Sequence, residues 1–358
     1  MTIYSPYYRY GIALALGIAL SLGCAQAAPT HQDDETKMKP VAVISDTRFA
    51  IDTPQGRAEL PLYMSGPWDV PQPGIVRAVI VIHGKLRNAD TYFHSAEQAR
   101  AAAGASAAGS LLIAPQFLAG TDLKAHAEPA DLLHWRGDAW MGGEPAAGSV
   151  PLSSFAALDA IVKRLADRRL FPNLQQITIA GHSGGGQVVQ RYAIAMHALP
   201  ALASERIGIN FLVANPSSYA YFDAQRLTAD GTPVHDVAAQ CPGFDEWKYG
   251  MQNRPAYLSD YTPAQLEQSY VARQVDYLIG GNDTDPNQAV LDKSCPAEAQ
   301  GPQRMARAQA YYHYLQARHP SGLNHSFNIV PGVGHDGARM LTSACALKLM
   351  FGTGSCRD

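Results

Sequence analysis

The stretch Ile177–Ala193, "ITIAGHSGGGQVVQRYA", runs from an apolar strand-like piece into a helix-like piece. The join places one serine, Ser183, among four glycines: Gly181, Gly184, Gly185 and Gly186. Glycine is entropically costly to order, so four of them at one join need a geometric reason. Gly181 and Gly185 flank Ser183 at two residues on either side, giving G-x-S-x-G. In a sharp strand-to-helix turn the central residue is held in a strained conformation, and the flanking positions approach backbone too closely for a Cβ. Such a turn lifts the serine oxygen clear of the sheet. It also aims the next backbone N–H, that of Gly184, at whatever the serine attacks. A phosphate-cradling loop would need G-x-x-x-x-G-K-[ST] or G-x-G-x-x-G, and neither pattern is present.

A serine hydroxyl is a weak nucleophile at neutral pH. It needs a base within hydrogen-bond reach, an acid that orients the base, and donors for the developing oxyanion. The base candidate is His335 in "IVPGVGHDGARM", which follows a strand-like piece and sits among Gly332, Gly334 and Gly337. His182 is read as packing, with its side chain directed away from that of Ser183, and His325 as structural. The acid candidate is Asp283 in "VDYLIGGNDTDPN"; Asp285, just before a proline, reads as a turn residue. The oxyanion donors would be the backbone N–H of Gly184 and that of Lys85, which follows His83-Gly84 in "AVIVIHGKLRN".

The chain has 358 residues, 47% hydrophobic and 16% charged, with a formal charge of −3. That composition supports a substantial core and excludes global disorder. No basic stripe points to nucleic acid. Arg9 precedes an apolar run, Gly11 to Leu22, and "CAQAAP" follows with Ala25 and Ala27 spaced as a cleavage site. Residues 1–27 therefore read as a secretory signal, and the protein as exported, periplasmic or secreted. The rival reading is a lipid anchor on Cys24, because "LSLGC" resembles a lipobox with Ser21 in the usual leucine position. The apolar run is short of the roughly 20 residues that span a bilayer. No later segment is long and apolar enough either. No C-x-x-C or HExxH is present, so a structural or catalytic zinc has little support. Four cysteines remain after the signal: Cys241, Cys295, Cys345 and Cys356. An even number in an exported chain implies disulfides. Cys345 lies in the last helix-like piece and Cys356 follows "GTGS", so the tail can fold back and pair them.

Residues 28–40 read as a disordered lead-in. Strands are expected at Val41–Ser45, Ala58–Met64, Ala78–Ile82, Leu111–Ala114, Gln176–Ala180, Ile207–Val213, Val275–Ile279 and Ser326–Val330. Helices are expected at Thr91–Ala103, Phe155–Arg168, Gln187–His197, Arg304–His319 and Gly337–Met350. Early antiparallel strands followed by β–α alternation predict a mostly parallel sheet with helices on both faces. Residues 216–270 interrupt the alternation and are dense in aromatics, which suggests a folded excursion over the sheet, a cap within one domain covering 41–358.

As a set, HG at 83–84, GHSGGG at 181–186, the G-x-x-D at 280–283 and GVGH at 332–335 resemble the α/β-hydrolase superfamily. The resemblance covers roughly residues 75 to 350. "HGKLRNADTYF", "VANPSSY" and "WKYG" also look similar to secreted hydrolases of bacteria and fungi. The resemblance implies an α/β class fold with an eight-stranded sheet, a Ser183–Asp283–His335 triad in that chain order, and hydrolysis through an acyl-enzyme without metal or organic cofactor. In such a fold the loop "LLHWRGDAWMGGEP", Leu132–Pro145, lines the pocket, which makes Trp135 and Trp140 either candidate walls or pins of the loop to the core; the cap tyrosines, Tyr219 among them, read as core of the cap in the first place and as a substrate platform in the second. Arg136 and Asp138 could pair with each other or bind a polar group. The cap and the segment after the acid loop emerge at one edge of such a sheet, which implies a Cys241–Cys295 bridge. The expected function is an exported serine esterase acting on a small or polymeric ester. A peptidase or amidase with the same triad, or a binding protein that kept the fold, are the alternatives.

Overall fold

The computed structural model describes residues 1–4 and 38–356. The bulk of the expected signal segment, with Arg9 and Cys24, and the lead-in up to residue 37 lie outside the described residues.

Among the described residues ten strands are formed: β1 Arg48–Thr53, β2 Gly56–Met64, β3 Arg77–Ile82, β4 Ser110–Pro115, β5 Leu118–Ala119, β6 His134–Trp135, β7 Gln176–His182, β8 Gly208–Ala214, β9 Gln274–Gly280 and β10 His325–Val330. Eight of them make one sheet in the order β1-β2-β4-β3-β7-β8-β9-β10, and β5 pairs with β6 in a small ribbon. β2 runs antiparallel to both β1 and β4. From β4 onward every neighbouring pair is parallel. The chain has the α/β-hydrolase fold expected from its motifs.

Against the sheet lie α1 (Ala89–Ala103), α2 (Ser154–Leu165), α3 (Gly184–Ala195), α4 (Pro263–Ala272), α5 (Arg304–Arg318), α6 (Gly337–Leu341) and α7 (Ala344–Phe351). Period-two alternation along the strands builds two cores. Ile80, Ile82, Ile177, Ile179, Phe211 and Val213 face one side, where they meet α2, α3, α4 and α5 through residues such as Phe155, Tyr192, Leu266 and Tyr311. Val79, Val81, Leu112, Ala180, Leu212 and Leu278 face the other side, where they meet α1, α6 and α7 through Ala96, Met340 and Met350. A sheet buried on both faces needs near-continuous apolar strands, and "AVIVI" in β3 supplies one. Because the central strands are parallel, the loops after β3, β7, β8, β9 and β10 all emerge at one edge, where ligands bind in open α/β sheets.

Three expectations are corrected. Val41–Ser45 is no strand: the amide of Val41 donates to Asp122 Oδ1 at 2.9 Å and that of Ser45 to Gln116 Oε1 at 3.1 Å. Side chains satisfy this backbone, so it has no need of a ladder. The edge strand is β1 instead, in a hairpin with β2. The last helix is two helices, α6 and α7, because the Ser343 hydroxyl accepts the amide of Ala346 at 3.2 Å and caps a new start. Finally, the lead-in is ordered at its end, where the carbonyl of Lys39 accepts Arg87 Nη2 at 2.8 Å.

Residues 216–270 fold against the edge that carries the loops. Arg226 is fully buried with its guanidinium 4.0 Å from the Tyr221 ring centre, and Trp247 Nε1 donates to the Gly142 carbonyl at 2.6 Å. The structure pairs Cys241 with Cys295, 54 residues apart, and Cys345 with Cys356. Among the described residues no helix is long and apolar enough to cross a membrane.

The Cys241–Cys295 bridge closes a long loop, worth about 4 kcal/mol by chain entropy before native-state strain is subtracted. In the Cys241→Ser/Cys295→Ser variant, limited proteolysis is expected to cut first within residues 216–262, while the sheet resists. A cleavage pattern unchanged from wild type would show that the bridge does not hold this segment.

Candidate active site

Ser183 joins β7 to α3 at φ 60° and ψ −122°, a conformation that L-residues rarely adopt. Its amide donates to the Ala214 carbonyl at 2.9 Å, which ties the turn to the end of β8. The flanking glycines are steric necessities. A Cβ on Gly185 would stand 2.1 Å from the Ile82 carbonyl oxygen, and one on Gly181 would stand 2.3 Å from that of Gly185. Gly184 comes close to the loop after β3, since its Cβ would lie 2.8 Å from the Lys85 nitrogen. The amides of Lys85 and Gly184 are thus neighbours beside Ser183, and the first amide of a helix has no partner inside it.

His335 lies in the loop after β10. Its Nε2 is 2.9 Å from Ser183 Oγ, and its Nδ1 is 2.8 Å from Asp283 Oδ2. An ionised carboxylate only accepts, so Nδ1–H donates to Asp283 and Nε2 is left to accept from the serine hydroxyl. Asp283, after β9, is buried. Asn215 Nδ2 donates to its Oδ2 at 2.5 Å, and Arg304 Nη1 lies 3.4 Å from its Oδ1. Burial pushes the Asp283 carboxyl up, but the His335 contact, the Arg304 charge and the Asn215 hydrogen bond together hold it below the usual carboxylate range. Asp285 is exposed and accepts the amide of Asn287 at 2.8 Å, a turn residue away from His335. Sequence reading thus nominated Ser183, Asp283 and His335, and the structure brings the three into one hydrogen-bonded chain.

Two other histidines have settled roles. His83 accepts the Phe117 amide on Nε2 at 2.9 Å and faces the Gly84 carbonyl with Nδ1 at 2.9 Å. Burial, above all, lowers its pKa to about 4, so it is neutral and pins the loop that carries Lys85. His182 differs from expectation. Its ring does not turn away into packing alone but lies 4.5 Å from the His335 ring, with Nδ1 3.0 Å from the Tyr92 hydroxyl. Burial and the neighbouring His335 hold its pKa well below the ordinary value. The signal was present in the strand: His182 continues the side of β7 that holds Ala180, and that side faces α1 and the loop of His335.

A cavity of about 530 Å³ opens on Ser183 and Gly184 and is walled by Met141, Gln187, Lys248 and Tyr249. A second of about 510 Å³ shares Ser183 and reaches His335 and Tyr92. Trp135, Trp140 and Tyr219 line neither, which corrects their nomination as substrate contacts. Trp135 and Trp140 are fully buried around Phe117, 5.3 and 5.4 Å from its ring, and Tyr219 stacks on Tyr311 at 4.6 Å. Large rings with little polar surface were drawn into the core beneath the loop, and the pocket was left to smaller and charged side chains. Asp138 does not pair with Arg136; it binds Lys248 Nζ at 2.9 Å and so joins the loop after β6 to the 216–270 excursion. Among the described residues no group of three or more His, Cys, Asp or Glu is arranged to hold a metal.

No family model matches the sequence, and no curated protein matches it. Solved structures do. The poly(3-hydroxybutyrate) depolymerase LpqC of Bordetella parapertussis is 22% identical, with 86% of this chain and 92% of that one covered at a TM-score of 0.56. Poly(aspartic acid) hydrolase-1 of Sphingomonas sp. KT-1 is 20% identical, with 87% and 99% covered at a TM-score of 0.57. At these identities the likeness is one of fold.

The Lys248 charge, ahead of the opposing effect of burial, lowers the Asp138 pKa from 3.8 to about 2. A depressed carboxylate pKa stabilises the native state above the unfolded pKa, and that contribution is lost as pH falls through the folded one. The difference in unfolding free energy between wild type and Asp138→Asn should therefore shrink by about 2 kcal/mol as pH drops from about 5 to about 2. A difference that stays constant over that range in urea titrations would show that Lys248 does not hold this carboxylate.

Proposed function

From the α/β-hydrolase fold of this chain, we propose that the protein is an exported serine hydrolase acting on carboxylic esters through Ser183, His335 and Asp283. The observation that carries the reading is Ser183 Oγ, set at positive φ, 2.9 Å from His335 Nε2 while Nδ1 meets Asp283 at 2.8 Å. Ester-cleaving chemistry is in keeping with the depolymerase among the proteins of like fold. Two bridged cysteine pairs fit an exported chain.

In acylation Ser183 Oγ attacks the ester carbonyl carbon as its proton passes to His335 Nε2. Negative charge gathers on the carbonyl oxygen, which the amides of Lys85 and Gly184 would receive. The tetrahedral adduct collapses, the C–O bond to the alcohol breaks, and His335 returns the proton to the departing oxygen. Water then attacks the acyl-enzyme with His335 as base, releasing the acid and restoring the serine. Asp283 keeps Nδ1 protonated and stabilises the imidazolium. The sharing of the Asp283 charge with Arg304 and Asn215 keeps it ionised through the cycle.

Ser183→Ala is expected to fold and to lose turnover by about a thousandfold or more, and His335→Ala to do the same. The double variant should lie within a few-fold of either, because the residues act as a unit. Retained labelling by a fluorophosphonate in Ser183→Ala would place the nucleophile elsewhere. A matched ester and amide, compared by kcat/KM, separate the esterase reading from the amidase one: faster amide cleavage would reverse it.

Asp283→Asn should cost about a thousandfold in kcat, and Asp285→Asn almost nothing. The opposite ranking would remove Asp283 from its role. Rates should also fall as pH drops from about 8 to about 5, because a protonated His335 cannot take the serine proton. A flat profile over that range would argue against a histidine base.

A further inference from the structure

The chain has eight lysines. Four of them, Lys39, Lys85, Lys248 and Lys293, line the cavity of about 530 Å³ that opens on Ser183. They come from four separate segments: the end of the lead-in, the loop after β3, the excursion, and the segment after the acid loop. Two carboxylates line the same cavity, Asp138 and Asp292. Asp138 is engaged by Lys248 at 2.9 Å. Asp292 accepts the Tyr249 hydroxyl at 2.7 Å and the Ser294 amide at 3.0 Å. Among the described residues the ammonium groups of Lys39 and Lys85 have no hydrogen-bond or ion-pair partner, and that of Lys293 meets only the Asn287 amide oxygen at 3.3 Å. Asp138 also feels the charge of Lys85, yet four lysines line the cavity against two carboxylates, in a chain whose formal charge is −3.

This local excess is not the general fate of cations here. Arg87, which lines the same cavity, is closed on Asp122 at 2.7 Å, and Arg304 on Asp283 and Ser217. A neutral substrate would leave this excess of positive charge along the cavity uncompensated, whereas an anion would be drawn to it. Lysine is a compact, hydrated charge on a flexible stem, suited to an anion whose distance from the reacting carbonyl is not fixed by a rigid fork.

Resting on the ester-hydrolase reading above, we infer that the substrate is an ester carrying a carboxylate of its own, drawn to the cavity by Lys39, Lys85 and Lys293. The carboxylate takes no part in bond making. It sets orientation and raises the encounter rate, while Ser183 acts on the ester carbonyl.

The test compares matched esters that differ only in that charge. Monoethyl adipate is set against ethyl hexanoate for a carboxylate on the acyl side, and the butyryl ester of 6-hydroxyhexanoate against hexyl butyrate for the alcohol side. At low salt, kcat/KM should favour the anion by about tenfold in at least one pair, and about 0.5 M NaCl should erase most of the preference. Lys39→Gln/Lys293→Gln should lower the ratio about fivefold. Calorimetric binding of the same esters to Ser183→Ala should show the same order without turnover. Ratios near one in both pairs, unchanged by the double variant, would overturn the anionic substrate and leave the hydrolase reading standing. Absence of turnover of all four esters by the wild type would overturn the hydrolase reading, and the binding order alone would then decide the anion site.

Discussion

The contact between Gly185 and the Ile82 carbonyl oxygen is the constraint on which the site depends. There is no room for a Cβ at this point, so the start of α3 rests directly on the end of β3. That approach forces the chain through a positive φ at Ser183, at a cost of about 1–3 kcal/mol. The helix that follows offsets it: every residue from Gly184 to Ala195 is buried. A helix buried all round cannot tilt away to relax its first turn. The serine oxygen is consequently held at a fixed place relative to β3, β8 and the loop of His335. Any side chain at 185 would lift α3 and part Ser183 from both His335 and the Lys85 amide.

The second requirement is electrostatic. Asp283 is 3% exposed, and a carboxylate this deep is tolerated only when paired and hydrogen-bonded. Arg304, Asn215 and His335 supply those partners from α5, the end of β8 and the loop after β10. Arg304 also reaches Ser217 at 3.1 Å and Gln288 at 3.1 Å, which links the acid to the start of the excursion and to the segment after the acid loop. The ionised acid thus organises the parts of the structure that frame the cavity. His182 sets the opposite condition on the other side of His335. Kept neutral by burial, it offers the His335 ring a close aromatic neighbour without adding a charge that would oppose an imidazolium.

Legibility in the sequence followed from how local each determinant is. Ser183 was readable because the steric demand on its neighbours falls within five residues, 181 to 185. Asp283 and His335 were readable because each follows a strand and closely spaced glycines, Gly280 and Gly281 before the first, Gly332 and Gly334 before the second. The central strands stood out as continuous apolar runs, since burial on both faces leaves no place for polar alternation. The edge did not. "VAVIS" has strand composition, yet its amides are met by Asp122 and Gln116, some seventy or eighty residues away, and no local pattern reports that. Trp135 and Trp140 stayed open between pocket wall and core for a related reason. A loop position says that a residue is near the pocket, whereas the large ring surface is what draws it beneath the loop. The break of the last helix at Ser343 rests on one capping hydroxyl inside an otherwise helical pattern.

The distribution of cations follows the same logic of local against distant determinants. Arginine has five donors in a planar fork and can satisfy several carbonyls and a carboxylate together, so it serves the scaffold. Arg191 shows this, donating to the carbonyls of Met141 and Lys248 and to Gln187 and Ser218 while fully buried. Lysine has no such fork and keeps its hydration, so it remains where water remains, at the mouth of the cavity. The four lysines there are far apart in the chain and form no motif. What assembles them is the scaffold itself: Arg87 holds the Lys39 backbone, His83 pins the loop of Lys85, Asp138 fixes Lys248, and the Cys241–Cys295 bridge anchors the segment two residues after Lys293. The charge that a substrate would meet is therefore a product of tertiary structure, and disturbing any one of these four ties alters the field at Ser183 without touching the serine.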